Sequence, residues 1–166
     1  MVIDAANSKI PLDGQIRRLY GDSTTRQGEV QVYVDGSCFN NGKPNAKAGA
    51  GVYFGTGNQN NTAARVPGKQ TNQRGEIYAI FLVLKITDPH AALSIYYSDS
   101  EYTLKMLTER APSNSSMGWK VEHGDLLADI AYLIKSRPGP VDFRKVKAHS
   151  GNAHNDAADV LAKTGA

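Results

Sequence analysis

From Glu29 onward the chain consists of short runs in which apolar and polar residues alternate. The first run, EVQVYVD, places three valines on one side, which is the period of a half-buried β-strand, and we predict that this strand ends at Asp35-Gly36. After the turn-rich segment NNGKPNAKAGAG, the runs GVYFGTG and NTAARV predict two short strands in an antiparallel meander with the first. The pattern therefore predicts three consecutive strands.

The period changes to that of a helix after Thr71, a residue type that commonly caps helix N-termini. Apolar residues at helical spacing define a buried stripe: Ile77, Ile80, Phe81 and Leu84. Glu76 falls in the second turn of this predicted helix, beside the stripe. Because a carboxylate beside an apolar face is costly unless something pairs with it, Glu76 is a candidate functional residue.

The remaining segments predict two more strands and three helices. ALSIYYS is a fourth strand that ends at Asp99-Ser100, and VDFRKV is a fifth. Helices are predicted in YTLKMLTER, HGDLLADIAYLIKS and NDAADVLAKTG, whereas APSNSSMG is predicted to be a loop. The apolar face of the second of these helices consists of Leu126, Ile130, Leu133 and Ile134. The order βββαβααβα indicates an α/β protein with a five-stranded mixed sheet flanked by helices.

Length and composition fit one domain behind a leader. The 166 residues and 40% apolar content allow a single domain with a substantial core, which we place at residues 29–166. Residues 1–28 are polar, and we interpret them as a flexible leader of unknown role or as the end of something larger. The N-terminus lacks a signal-peptide pattern, and no stretch approaches the roughly 18 apolar residues of a membrane span. We therefore expect a soluble, monomeric, intracellular protein of the cytoplasm, nucleus or mitochondrion, with no membrane partner.

Net charge and cysteine content limit the possible binding partners and cellular compartments. The formal net charge of +3 is compatible with an anionic partner such as nucleic acid, although many proteins without such a partner are equally basic. The single cysteine, Cys38, excludes an internal disulfide and cannot by itself make a cysteine-rich zinc site. A reducing compartment therefore fits.

Acidic residues end two of the predicted strands. If the strands that end in Asp35 and Asp99 are parallel neighbours, their carboxyl ends lie together where α/β proteins usually bind ligands, and a helix packed on the sheet can bring Glu76 there. Three carboxylates close together repel one another and raise one another's pKa values, so such a cluster is stable mainly when it surrounds a cation. Because all the ligands would be oxygen atoms, Mg²⁺ or Mn²⁺ is favoured over Zn²⁺. Taken singly, each acid also fits an ordinary turn or helix cap.

Four motifs occur in register along the chain: VYVDGSCFNNG, PGKQTNQRGEIYA, YYSDSEYT and VKAHSGNAHNDAADVLA. In order and spacing they resemble ribonuclease H of the cellular type, over about residues 29–166. The string T-N-Q-R-x-E before a helix and the spacing H-x(9)-D near the end make the resemblance specific. It implies the ribonuclease H-like fold and a metal-dependent endonuclease that hydrolyses the RNA strand of its partner, an RNA–DNA hybrid.

The resemblance also assigns the metal-binding acids. They fall on Asp35, Glu76, Asp99 and Asp159. Asp156 competes for the last role, and a helical wheel leaves both acids open. We choose Asp159 because D-V-L-A matches the family's acid before its Leu-Ala and because its distance from His149 fits. Asp156 is then interpreted as a solvent-exposed charge at the helix start, where the positive end of the helix dipole stabilises it.

The implied chemistry uses two Mg²⁺ ions, for which Mn²⁺ is a substitute, and leaves 5′-phosphate and 3′-hydroxyl ends. Ions in such sites lie about 3.5–4 Å apart; one activates a water and the other stabilises charge on the leaving oxygen. Asp35 is expected to bridge the ions, with Glu76 and Asp99 on one side and Asp159 on the other. His149, in the loop KAHSGNAHN, is expected to move protons or to help the product leave.

Contacts to the substrate are implied as well. The groups expected to reach the 2′-hydroxyl, which DNA lacks, are Asn41, Asn72, Gln73 and the backbone around Ser37 and Cys38. Side-chain amides suit this role because each carries a donor and an acceptor. Without the resemblance, Asn41 is interpreted as part of a turn, and Asn72 and Gln73 as the start of a helix.

A phosphate pocket for the DNA strand is expected from Lys69, Thr71 and His123, where the family often has Asn in the last position. Many relatives also carry a basic, Trp-rich protrusion in the region that corresponds to residues 100–124. Here that region is short and nearly neutral, and its single tryptophan is Trp119. We interpret Trp119 as a core residue. We therefore expect weaker and more salt-sensitive hybrid binding than in relatives with the protrusion.

Four alternative interpretations of the function are considered. The domain could be a catalytically silent hybrid-binding or structural module, for which loss of an acid would be the sign, or the nuclease domain of a retroelement polyprotein. It could belong to other nucleases with this fold, such as integrases or exonucleases, although these lack the T-N-Q-R-x-E string. A small-molecule-binding α/β domain is disfavoured because the chain has no G-x-G-x-x-G loop between a strand and a helix.

Overall fold

The structure is a computed structural model that describes residues 29–98, 101–147 and 151–166. The predicted leader, residues 1–28, and two predicted site residues, Asp99 and His149, lie outside the described residues.

Five strands form one mixed sheet, as the sequence pattern predicts. They are β1 (Glu29–Phe39), β2 (Lys47–Tyr53), β3 (Thr62–Arg65), β4 (Ala92–Tyr97) and β5 (Val141–Lys145). The order across the sheet is β3-β2-β1-β4-β5. The predicted meander of β1, β2 and β3 is antiparallel, whereas β1 pairs with β4, and β4 with β5, in parallel. The condition that the first and fourth strands are parallel neighbours is therefore met.

Helices cover both faces of the sheet. They are α1 (Asn72–Ile86), α2 (Glu101–Leu107), α3 (Ala111–Ser116), α4 (Gly124–Ser136) and α5 (Ala153–Gly165). Helix α1 packs on β1 and β2 and is backed by α4, whereas α5 packs on β1, β2 and β3. In the β1–β2 register Gly36 lies opposite Ala50, and Gly36 faces α1 while Gly51, one residue further along β2, faces α5. Helices α1 and α5 therefore lie on opposite sides of the sheet.

The prediction that APSNSSMG forms a loop is wrong, because most of this segment forms α3. Proline in the first turn is compatible with a helix start, since the N–H that proline lacks has no partner there anyway. The turn is fixed from inside by Asn114, a buried residue whose carbonyl accepts a hydrogen bond of 2.6 Å from the N–H of Trp119. The observed order is thus βββαβαααβα, with one helix more than predicted.

Two strand boundaries also differ from the prediction. Strand β1 does not end at Asp35-Gly36 but continues to Phe39, and β2 begins at Lys47, inside the segment predicted as a turn. In β1 the glycine allows close packing rather than a turn. A Cβ atom on Gly36 would lie 2.3 Å from the backbone nitrogen of Glu76, so helix α1 can cross this strand only at a glycine.

The start of α1 is as predicted. Thr71 is the N-cap, and its hydroxyl accepts a hydrogen bond of 3.0 Å from the N–H of Arg74. Glu76 lies in the second turn and is buried, with 5% of its surface exposed. Of the predicted apolar stripe, Phe81 is only partly buried, while the others are buried in the core between the sheet, α1 and α4.

Across the described part of the chain, no helix has both the length and the hydropathy to cross a membrane.

Candidate active site

A cleft opens where β1 loses one of its two neighbours. The parallel pairing of β1 with β4 extends to Tyr33 opposite Tyr96, but β1 continues to Phe39 paired with β2 alone. Asp35 lies in this second half of β1, beside the carboxyl end of β4. The cleft is therefore at the sheet edge where ligands of α/β proteins usually bind.

The cleft has a volume of about 720 Å³ and gathers most of the predicted site residues. Those that line it are Asp35, Ser37, Asn41, Thr71, Asn72, Gln73, Glu76 and Asp159. They come from β1, the β1–β2 turn, the start of α1 and the middle of α5. Separate parts of the chain thus bring acidic and amide side chains to one place.

Three of the predicted metal-binding acids reach the cleft, each from a different element. Asp35 comes from β1, Glu76 from α1 and Asp159 from α5. Their all-oxygen chemistry suits a hard divalent cation such as Mg²⁺. Within residues 29–98, 101–147 and 151–166, however, no group of three or more acidic, histidine or cysteine side chains is arranged so that it could hold a metal ion. The oxygen donors are of the type that Mg²⁺ prefers, and Asp99, the fourth predicted acid, lies outside the described residues.

Backbone contact between glycines sets the position of Glu76. A Cβ atom on Gly75 would lie 3.0 Å from the Cα of Gly36, so no side chain separates the first turns of α1 from β1. The backbone of Glu76 therefore lies directly over the residue that follows Asp35. The carboxylate of Glu76 is held near the cleft by the packing of a helix on a strand, not by a mobile loop.

One cation of the chain itself lies among the acids. The ammonium of Lys163 is 2.8 Å from Oδ2 of Asp159, one helical turn earlier in α5. The hydrogen bond to Asp159 raises the pKa of Lys163, and the charge of Asp35 adds to this shift. Asp35 and Asp159 therefore act on the same cation, as expected of acids that face a common space.

The choice between Asp156 and Asp159 stays a prediction, because both acids line the cleft. Asp156 is exposed and lies in the first turn of α5, whereas the side chain of Asp159 is 28% exposed. Asp159 is thus the more enclosed of the two.

Three of the predicted substrate contacts lie outside the cleft lining. Cys38 is partly buried, with its Sγ atom 3.5 Å from the carbonyl oxygen of Gln70. Lys69 is exposed and forms an ion pair of 2.6 Å with Glu122. His123 is buried, and its ring turns inward against α1.

His123 belongs to a polar network behind the cleft. The guanidinium of Arg74, a buried group, donates two hydrogen bonds of 2.9 and 2.7 Å to the carboxylate of Asp125. The Nη1 atom of Arg74 also lies 3.3 Å from Nδ1 of His123. Because arginine can only donate hydrogen bonds, Nδ1 of His123 must be the acceptor. Burial lowers the pKa of His123, which favours this neutral, accepting form. The network ties the start of α1 to the start of α4.

Asp125→Asn is expected to lower the free energy of unfolding by about 1 kcal/mol at pH 7, a small value because the Asp125 side chain is 66% exposed and screened by solvent. The hydrogen bonds from Arg74 hold the pKa of Asp125 at about 2, below its usual 3.8. A lowered folded-state pKa means that the stabilisation is complete above about pH 4 and is lost as the pH falls towards 2. Urea unfolding of both proteins between pH 7 and pH 3 checks this; a difference that does not shrink below pH 4 would contradict it.

Several residues that line the cleft are not predicted from the sequence pattern. They are Ser98, Glu101, Tyr102, Asn155 and Lys163. Lys163 could have been found, because a lysine four residues after an acid in a helix usually faces it. Asn155 is buried and its Oδ1 atom has no hydrogen-bond partner among the described residues, which periodicity alone cannot reveal.

Sequence comparison places this chain among known proteins. The model of the RNase H family matches residues 27–166. The chain is 35% identical over 151 residues to "Ribonuclease H1" of Mus musculus, covering 87% of this chain and 53% of that protein. It is 32% identical over 148 residues to "Ribonuclease H" of a Polaromonas species, covering 86% of this chain and 91% of that protein. The chain thus spans about half the length of the mouse relative.

Comparison of structures gives the same fold. The crystal structure of LC9-RNase H1, described as a type 1 RNase H with the type 2 active-site motif, matches with a TM-score of 0.62 at 24% identity. The match covers 86% of this chain and 73% of that one. It confirms the fold class predicted from the sequence.

Proposed function

Because this chain belongs to the RNase H family, we propose that it is an endonuclease that hydrolyses the RNA strand of RNA–DNA hybrids. The proposed catalytic domain comprises residues 29–166. One observation carries the proposal: in a member of this family, carboxylates from β1, α1 and α5 line one cleft together with four side-chain amides. A silent binding module would have no need of the acids.

We further propose that the acids hold two divalent cations, Mg²⁺ by preference with Mn²⁺ as a substitute. The residues that would hold them are Asp35, Glu76 and Asp159, joined by Asp99. When bound, such ions activate a water molecule and stabilise negative charge on a leaving oxygen. The burial of Glu76 supports this role, because a nearby cation offsets the cost of a buried carboxylate. The expected products carry 5′-phosphate and 3′-hydroxyl ends.

Residues of the chain itself would select and orient the hybrid. Asn72 and Gln73 lie in the first turn of α1 and Asn41 in the β1–β2 turn, all on the cleft wall. Their amides can both donate to and accept from a 2′-hydroxyl, which only the RNA strand carries. The first turn of α1 contains no acidic residue, so its positive dipole end favours the anionic strand. His149 is proposed to move protons near the scissile phosphate.

A cleavage assay tests the proposal. End-labelled RNA–DNA hybrid, RNA duplex and DNA duplex are incubated with the full chain and Mg²⁺, and then with EDTA. We expect cleavage of the RNA strand of the hybrid alone, and none with EDTA. The fragments should accept nucleotides from poly(A) polymerase, which needs a 3′-hydroxyl, and should lose a phosphate to alkaline phosphatase. Binding of the hybrid without turnover in Mg²⁺ or Mn²⁺ would instead indicate the silent module.

A further inference from the structure

Lys69 lies outside the cleft lining, but it precedes by two residues Thr71, which caps α1 and lines the cleft. Its neighbour Gln70 accepts a hydrogen bond of 2.8 Å from the N–H of Ala48 in β2 and donates one of 2.6 Å to the carbonyl of Val66. The backbone next to Lys69 is therefore anchored to the sheet, and this fixes the point from which the Lys69 side chain extends.

The carboxylate of Glu122 contacts that ammonium from an equally fixed segment. Oε1 of Glu122 is 2.6 Å from Nζ of Lys69. The hydroxyl of Tyr102 donates a hydrogen bond of 2.9 Å to the backbone carbonyl of Glu122. The next residue, His123, is buried and lies against Arg74. Two anchored segments, 53 residues apart in the chain, thus hold this ion pair.

Both partners of the pair are open to solvent. The side chains of Lys69 and Glu122 are 63% and 49% exposed. The hydrogen bond from Lys69 lowers the pKa of Glu122, so the carboxylate is ionised at neutral pH. An anionic strand that extends from the cleft past Thr71 towards Lys69 therefore meets a carboxylate that already occupies the ammonium.

We propose that Glu122 is an affinity-determining residue: its carboxylate competes with a phosphate of the bound nucleic acid for Lys69. The inference rests on the proposed function, since it assumes that nucleic acid enters the cleft. A phosphate at this point gains the ammonium only by displacing Glu122, and the displaced carboxylate then repels it. Solvent-exposed ion pairs are weak, so displacement is feasible and its effect on affinity is moderate.

Removal of the competing charge should strengthen binding. Glu122→Gln is expected to lower the Kd for an RNA–DNA hybrid by about 3- to 10-fold near 50 mM salt, where one more phosphate contact counts most. The slope of log Kd against log salt should rise by roughly 0.9, the value for one additional neutralised phosphate. Binding is measured by fluorescence anisotropy in EDTA, so that no cleavage interferes.

Glu109→Gln is the matched control. Glu109 is exposed in the turn between α2 and α3, outside the cleft lining, and its replacement changes the net charge by the same amount. If only overall charge mattered, both variants would bind more tightly to the same extent. We expect Glu109→Gln to bind within about twofold of the unmodified protein, as surface substitutions usually do.

Lys69→Gln completes the test. The rise in the salt slope that Glu122→Gln causes should require Lys69 and be absent when Lys69 is also replaced by Gln, because no ammonium is then left to neutralise a phosphate. An equal rise of the slope with and without Lys69, or a Glu122→Gln protein that binds no more tightly than Glu109→Gln, would overturn the inference. In that case normal hybrid cleavage by the unmodified chain would leave the proposed function standing, whereas absence of hybrid binding and cleavage would remove both.

Discussion

Asp35→Asn is expected to lower kcat for cleavage of an RNA–DNA hybrid by at least about 10³-fold, because loss of a charged metal ligand removes several kcal/mol of transition-state stabilisation. Asparagine has nearly the same shape, and its amide oxygen can keep the hydrogen bond of 2.9 Å that Oδ1 of Asp35 accepts from the N–H of Gly36. The free energy of unfolding should therefore change by less than about 1 kcal/mol. Single-turnover cleavage and urea unfolding of the same preparation measure the two quantities.

Asp129→Asn is the control for this substitution. Asp129 is exposed on α4, outside the cleft lining, and the exchange removes the same charge from the protein. Its activity should stay within about twofold of the unmodified protein, as for most surface changes. If Asp35→Asn kept more than about a tenth of the activity, the loss would be below 1.4 kcal/mol, too small for a shared metal ligand.

The sheet was predictable because strand periodicity and segment order constrain it strongly. Alternating valines in β1 and the apolar run of β4 identified the two central strands, and right-handed crossover connections favour their parallel pairing. The errors arose at glycines. The sequence pattern predicts turns at Gly36 and Gly49, yet both lie inside strands where a helix backbone approaches: a Cβ atom on Gly49 would lie 2.1 Å from the carbonyl oxygen of Ala162. Local propensity cannot distinguish a glycine needed for a turn from one needed for packing.

Three of the acids that the sequence predicts, Asp35, Glu76 and Asp159, line the cleft, whereas the ion pairs near the cleft are only partly predictable from the sequence. Lys163 follows Asp159 by four residues in one helix, and this spacing predicts their contact. Lys69 and Glu122 are 53 residues apart and meet only because the Lys69 segment is anchored to β2 and the Glu122 segment to α2. The inward turn of His123 depends on the same folded network, so no local pattern could have placed its ring.

The two acids of α5 offer the sharpest test of the site assignment. Asp159→Asn is expected to lower cleavage by about 10²-fold, less than Asp35→Asn, because Asp159 is shared with Lys163 and its charge is already partly neutralised. Asp156→Asn should stay within about threefold, since Asp156 is exposed and its charge mainly complements the helix dipole. Initial rates with hybrid over a range of Mg²⁺ concentrations measure both effects. If Asp159 is a ligand, the Asp159→Asn protein should also need more Mg²⁺ for half-maximal rate.

The comparison is well matched because both exchanges remove one charge from the same helix at nearly the same cost in stability. Loss of the charge at Asp156 weakens the dipole interaction by about 0.3–1 kcal/mol, and loss of the Asp159–Lys163 pair costs about 0.3–0.5 kcal/mol. A large difference in activity therefore reports on the chemistry of the cleft and not on folding. If Asp156→Asn proved the more damaging of the two, the ligand would be Asp156. The match of D-V-L-A to the family pattern would then have assigned the wrong acid.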